Sequence, residues 1–189
     1  MKKLVVASGN KNKIREIKAL IGDKFNVVSM ADEGINIEIE ENGTTFEENA
    51  LIKAKAIYEF CHCAVISDDS GLMVDALGGA PGVYSARYAG EPCNDANNNA
   101  KLLKNLQGAS DTSARFMSAV AFYDGERELT VTGTVEGKII FEHQGDNGFG
   151  YDPYFFCHEL GKTFGNALSE EKNMVSHRAR ALKKLVEML

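Results

Sequence analysis

Residues 64–71 read Ala64-Val65-Ile66-Ser67-Asp68-Asp69-Ser70-Gly71, and the fold turns on how that run is interpreted. Val65 and Ile66 predict the end of a buried strand. Asp68, Asp69 and Ser70 then arrive together, and Gly71 lets the backbone turn. Strand ends are where open α/β sheets form their ligand crevices. Two adjacent carboxylates there repel each other and lose water, so they need a cation, a lysine or a shared proton beside them. An ordinary turn uses the same residue types, and the surrounding chain must decide between the two readings.

Upstream, residues 3–8 predict a strand broken by Gly9-Asn10-Lys11-Asn12-Lys13. Ile14, Ile17, Leu20 and Ile21 then recur at helical spacing, so an amphipathic helix is expected over 12–22 with Gly22 as its stop. A strand, a Gly/Asn/Lys loop and a helix start make an anion site, because free N–H groups and the positive dipole end face the loop. No Walker A pattern is present. Residues 25–30 predict a second strand. Residues 35–41 predict a third, since Ile35, Ile37 and Ile39 alternate with polar residues up to Glu40 and Glu41. Thr45 with Glu48 forms a capping box for a helix from Phe46 to Cys61, with Ala50, Ala54, Ile57 and Cys61 on one face. Lys53 lies on that helix, where a lysine ordinarily faces solvent.

Downstream, the glycines and proline of residues 71–91 mark a structured loop. Asn94 or Asp95 caps a further helix with Leu102, Leu103 and Leu106 inward. Residues 114–123 and 127–135 predict a hairpin turning at Asp124-Gly125, and 138–142 another strand. A second glycine-rich loop over 144–153 carries Phe149 and Tyr151, and Tyr154-Phe155-Phe156 resume a short strand. Ser176 can cap a last helix whose Leu182, Leu185, Val186 and Leu189 are apolar. Strands and helices interleave early and a β-rich segment follows, which predicts an α/β fold with a mixed sheet and flanking helices. One domain over residues 1–189, with two lobes, is expected.

The 189 residues are 44% hydrophobic and 25% charged, enough for a sizeable core. No apolar run approaches the roughly 20 residues of a membrane span. The first apolar run is too short for a signal peptide. Cys61, Cys63, Cys93 and Cys157 fit no zinc spacing and are expected as reduced thiols in a cytoplasmic protein. A net charge of −6 argues against nucleic-acid binding. It leaves room for a small anion held by a metal and local lysines.

Lysines at a helix start, carboxylates at two strand ends, an aromatic glycine loop and a late Lys172, His177, Arg178 set describe a nucleoside triphosphate site. Carboxylates suit Mg²⁺, which keeps waters and substrate phosphates. Lysines suit the phosphates, an aromatic suits stacking on a base, and a His/Arg pair suits base oxygens.

These motifs resemble the inosine triphosphate pyrophosphatase (Ham1-like) family, in its bacterial RdgB-type branch. The likeness is carried by Ser8-Gly-Asn-Lys-Asn-Lys13, Glu40-Glu-Asn-Gly-Thr-Thr-Phe46, Glu48-Asn-Ala50 and Ser67-Asp-Asp-Ser-Gly-Leu72. It continues through Leu77-Gly-Gly-Ala-Pro-Gly-Val-Tyr-Ser-Ala-Arg87, Gly148-Phe-Gly-Tyr-Asp-Pro153, Lys172 and Ser176-His-Arg178. It covers essentially the whole chain in order. Ser8 stands where threonine is common, and Gln144-Gly-Asp-Asn147 departs from the usual Gly-Thr-Gly run.

The resemblance implies an elongated mixed α/β structure with two lobes around a cleft, usually a homodimer. It implies a house-cleaning hydrolase that cleaves ITP, dITP and XTP to the monophosphate and pyrophosphate with Mg²⁺. It assigns Asp69 as general base, and Glu40 and Asp69 as metal ligands, with Glu41 the rival of Glu40. Ser8, Gly9, Asn10, Lys11, Asn12, Lys13, Lys53 and Ser70 would hold the triphosphate. Phe149 would stack on the base, and Gly150, Tyr151, Asp152, Lys172, His177 and Arg178 would surround it. A donor-rich site accepts a 6-oxo purine and mismatches the 6-amino donor of adenine. The alternative from another class is a non-catalytic nucleotide sensor using the same residues.

Overall fold

The computed structural model describes all residues, 1–189. Seven strands form one mixed sheet in the order β2-β1-β3-β4-β5-β6-β7, and the chain divides into two compact units.

The first unit comprises Met1–Asp69, Ser118–Gly133 and Arg178–Leu189. Strand β1 (Lys3–Val6), helix α1 (Lys11–Ile21) and strand β2 (Asn26–Ser29) make a parallel βαβ turn, with Leu4 opposite Val27. Helix α2 (Phe46–Cys61) leads into β3 (Val65–Val74), which pairs parallel to β1 at Val5 and Val65. Ile17 and Ile21 of α1 pack with Leu4, Val6, Ile66, Val120 and Phe122, and with Ala181, Leu182 and Leu185 of the last helix, α5 (His177–Met188).

The second unit comprises Ser70–Met117 and Thr134–His177. It holds helix α3 (Asp95–Asn105), parts of β4 (Ser113–Tyr123) and β5 (Glu128–Ile139), strands β6 (Phe155–Cys157) and β7 (Lys162–Thr163), and helix α4 (Ser169–Val175). β5, β6 and β7 pair antiparallel. Its core joins Leu102 and Leu106 of α3 to Phe116, Val135, Ile139, Phe155 and Phe164.

Three expectations are corrected. The strand carrying the aspartates does not end at Ile66: β3 runs on through Asp68, Asp69, Ser70 and Gly71 to Val74, and Gly71 keeps a strand conformation. The carboxylates can sit inside a strand because buried cations meet them there, as shown below. Residues 35–41 form no strand. Their alternation survives as burial, with Ile35 buried and Glu40 exposed, but alternation reports which side faces protein and not whether a ladder forms. Residues 138–139 belong to the single long β5, and 140–142 lie outside any strand. Helix α4 and strand β7 are short elements with no clear periodic signal in the sequence. The capping box of Thr45 and Glu48 is present, and α2 spans Phe46–Cys61 as expected.

Candidate active site

In the first unit β3 delivers Asp68 and Asp69, and the period of two sends them to opposite faces. Asp68 is wholly buried. Its Oδ2 lies 3.0 Å from Lys13 Nζ and accepts from Arg178 Nη2 at 3.0 Å, while Ser118 Oγ donates to its Oδ1. Burial opposes ionisation, yet Arg178, Lys13 and Ser118 together hold this carboxyl well below the usual aspartate range. Arg178 is buried too, and its other arm pairs with Glu16. Asp68 is therefore a fixed anion inside a buried ion network.

Asp69 is different. Its Oδ1 lies 3.4 Å from Lys53 Nζ, and its Oδ2 is buried with no hydrogen-bond partner. Burial raises its pKa, against the pull of Lys53 and Lys13. Lys53, which the family resemblance assigns to the triphosphate although its helix position alone suggests solvent, is buried on the inner face of α2. Its ammonium also donates to the Asp68 carbonyl at 3.0 Å and lies 3.2 Å from Glu41 Oε1. Glu41 is held near by its own segment, because the Gly43 amide donates to Asn49 Oδ1 of α2 at 2.8 Å. Glu40 is exposed.

Helix α1 begins beside this cluster with the wrong charge for its dipole: its first turn holds Lys11 and Lys13 and no acidic residue. Asp68 compensates Lys13 directly, although burial pushes the Lys13 ammonium below its ordinary value. Lys11 is exposed. The loop amides already have partners: Ser8 Oγ accepts from Asn10 N at 3.1 Å, and Asn10 Oδ1 accepts from Asn12 N and Lys13 N at 3.0 and 3.2 Å. Ser70 is half-buried on β3 and Gly9 is open.

The second unit gathers the aromatic set. Lys172 on α4 and Asp152 form a buried pair at 2.8 Å, and the same Asp152 Oδ2 accepts from the Phe149 amide at 3.0 Å. The Lys172 ammonium lies 4.8 Å from the centre of the Phe149 ring and 5.4 Å from that of Phe164. His177 is buried and stacks on Phe116 with ring centres 5.0 Å apart. Tyr151 is buried, and its hydroxyl donates to the Ser85 carbonyl at 2.6 Å. Gly148 must be glycine: its φ is +72°, and a Cβ there would sit 2.1 Å from Asp152 Oδ2.

Two carboxylates here could hold a hard divalent ion, with the Lys53 ammonium now lying between them. Asp69 Oδ2 is a buried acceptor awaiting a partner, and Glu41 supplies a second carboxylate through their shared Lys53. Mg²⁺ needs only one or two protein carboxylates when phosphates and waters complete its shell.

The structure thus joins Lys13, Lys53, Asp69 and Arg178 around Asp68 in one unit, and Phe149, Asp152 and Lys172 in the other. Arg178 pairs with Asp68 and Glu16, whereas the sequence places it at the base edge. Glu16 and Ser118 were missed. Each left a signal: Glu16 lies one helical turn beyond Lys13, and Ser118 is the lone hydroxyl in Phe116-Met-Ser-Ala-Val-Ala-Phe122, an otherwise apolar strand core.

The profile of the Ham1 family matches residues 4–188. The dITP/XTP pyrophosphatase of Bacillus licheniformis is 52% identical over 100% of this chain and 98% of its own length. That of Bacillus subtilis is 48% identical with the same coverage. Among solved structures, the Staphylococcus aureus Ham1 protein is 40% identical with a TM-score of 0.89, covering 99% of this chain and 97% of its own. A HAM1 protein from Coxiella burnetii is 38% identical with a TM-score of 0.90, covering 100% and 98%. With the carboxylate–lysine cluster, the aromatic loop and the mixed sheet all in place, the chain belongs to the Ham1 family.

Proposed function

We propose that this protein is a nucleoside triphosphate pyrophosphohydrolase. It cleaves the 6-oxo purine triphosphates ITP, dITP and XTP between the α and β phosphates, giving the monophosphate and pyrophosphate. The observation that carries the reading is the contrast within one dipeptide. Asp68 has its oxygens occupied and its charge fixed, whereas Asp69 keeps a buried, unpartnered oxygen beside an ammonium. Hydrolysis needs a carboxylate free to align a water and take its proton, and Asp69 Oδ2 is that atom.

Lys53 and Lys13 supply positive charge for the triphosphate, together with the α1 N-terminus behind Asn10. Asp69 with Glu41 or Glu40 would hold Mg²⁺, which when bound neutralises phosphate oxygens. Glu41 has geometric support through its contact with Lys53. Phe149 offers a ring for the base, and the Lys172 ammonium is a donor beside it for a purine oxygen. Relatives named dITP/XTP pyrophosphatase support the substrate class. Four free cysteines suit a reducing compartment such as the cytoplasm. A homodimer is the assembly to test first through the exposed Tyr84, whose ring carries Arg87 at 5.3 Å.

Incubation with Mg²⁺ and ITP, XTP, ATP or GTP tests the reaction. Pyrophosphate from ITP and XTP, with ATP and GTP nearly untouched, is expected. Orthophosphate as product, or equal turnover of ATP, would overturn the assignment. Binding of ITP with no product would make the protein a sensor instead.

A further inference from the structure

We propose that Asp95 and Asn99 are positioning residues for the base-binding loop: together they clamp the peptide groups on both sides of Gly150 and hold Phe149 in place before nucleotide arrives. The inference rests on the reading of Phe149 as the base platform. Asp95 opens α3, and Asn99 follows four residues later, so both side chains leave the same face of the helix. Asp95 Oδ2 accepts from the Gly150 amide at 3.0 Å. Asn99 Nδ2 donates to the Gly150 carbonyl at 3.0 Å.

The first bond fixes the peptide plane that joins Phe149 to Gly150, and the second fixes the plane that follows. Gly150 has φ +61°, a conformation open to many alternatives in a glycine. Without an external hold, those alternatives would redirect the Phe149 ring. Other side chains touch this stretch at its ends: Asp152 accepts from the Phe149 amide, Lys172 lies over the Phe149 ring and the Tyr151 hydroxyl reaches Ser85, whereas Asp95 and Asn99 alone, among the side-chain bonds described, hold the peptide groups of Gly150.

Asn99 carries its own argument. It is 8% exposed, and its Oδ1 is buried without a partner. An orphaned acceptor costs stability that an apolar side chain at this position would avoid. The carboxamide is therefore there for what its other end does, and that end holds Gly150. If the clamp is lost, the loop samples other conformers and each binding event must select the competent one. That cost falls on KM and leaves the bound complex, hence kcat, unchanged.

The test compares Asp95→Ala, Asn99→Ala, Asn99→Asp, Asp95→Asn and Phe149→Ala by steady-state turnover of ITP. Competition by inorganic tripolyphosphate, a probe with no base, and amide exchange at Gly150 complete the set. Asp95→Ala and Asn99→Ala should each raise KM for ITP roughly three- to tenfold, the loss of one hydrogen bond, with kcat unchanged. Tripolyphosphate should inhibit as before, and the Gly150 amide should exchange faster in Asp95→Ala. Asn99→Asp, which keeps the size and loses the donor, should match or exceed Asn99→Ala. Asp95→Asn keeps an accepting oxygen and should restore the parent KM. An unchanged KM in both alanine variants, with Phe149→Ala raising it, overturns the clamp and leaves the base platform standing. An unchanged KM in Phe149→Ala overturns the platform, and the clamp with it. A joint fall in kcat and in tripolyphosphate affinity overturns the clamp by showing general structural damage.

Discussion

Asp68 and Asp69 are adjacent, yet replacing each by asparagine should move stability differently. Asp68→Asn removes the carboxylate that Lys13 and Arg178 share. Removing one member of a buried pair costs about 3–5 kcal/mol, because the other charge stays buried without its partner. Arg178 keeps Glu16, so the expected cost is at the lower end, about 3 kcal/mol. In a chain of 189 residues each kcal/mol lowers the thermal midpoint by about 2–4 °C, so a fall of roughly 6–12 °C is expected. Asp69→Asn removes a carboxylate whose ionised form burial already disfavours. Lys53 retains the Asp68 carbonyl at 3.0 Å and Glu41 at 3.2 Å, so stability should be unchanged or slightly higher while ITP turnover is lost.

Thermal and urea unfolding of the metal-free variants, beside ITP turnover, would measure both effects. Equal falls in stability, or an Asp68→Asn variant within about 1 kcal/mol of the parent, would refute the division of labour. The acid limb gives a second check. Asp68 is ionised in the folded state well below its ordinary value of 3.8. Its contribution is therefore complete above 3.8 and is lost as the pH falls through its lower folded value. Asp68→Asn should erase that limb. Asp69 is shifted the other way, so its destabilisation sets in as the pH rises from 3.8 to its folded value, and Asp69→Asn should remove it.

Thr45→Ala deletes the side-chain half of the α2 capping box and should cost about 1 kcal/mol in urea unfolding, with KM for ITP unchanged and Thr45→Ser close to the parent. Gly148→Ala forces a side chain into a left-handed backbone and against Asp152. It should cost about 1–3 kcal/mol and raise KM for ITP, as seen by unfolding and steady-state kinetics.

Local chemistry made much of this molecule legible before any coordinates. Thr45 and Asn94 cap their helices as their side chains suggest, and Asp124-Gly125 turns the β4–β5 hairpin. The errors came where a local signal was outvoted by distant partners. Asp-Asp-Ser-Gly has turn chemistry, but Lys13, Arg178 and Ser118 come from other elements to neutralise and bond Asp68, so the strand continues. For Lys53, helix position alone points to solvent, because nothing within one helix reveals that Asp69 and Glu41 meet its ammonium, and only the family resemblance assigns it to the site. Arg178 could be grouped with His177 by proximity in sequence. Yet Arg178 pairs with Asp68 and Glu16 while His177 stacks on Phe116, because consecutive helical side chains leave the chain in different directions.

Asn10 covers the start of α1 with its own side chain. Its carboxamide oxygen occupies the amides of Asn12 and Lys13, the groups a phosphate would seek at the start of α1. Any anion arriving there must first evict a side chain tethered at high local concentration. A lone orthophosphate gains too little to do so, whereas a triphosphate that also reaches Lys13 and Lys53 gains enough. Orthophosphate should accordingly inhibit far more weakly than tripolyphosphate, and equal inhibition by the two would remove the point. The residue that caps the start of the helix would thus also keep small phosphates from occupying a site that a nucleoside triphosphate fills.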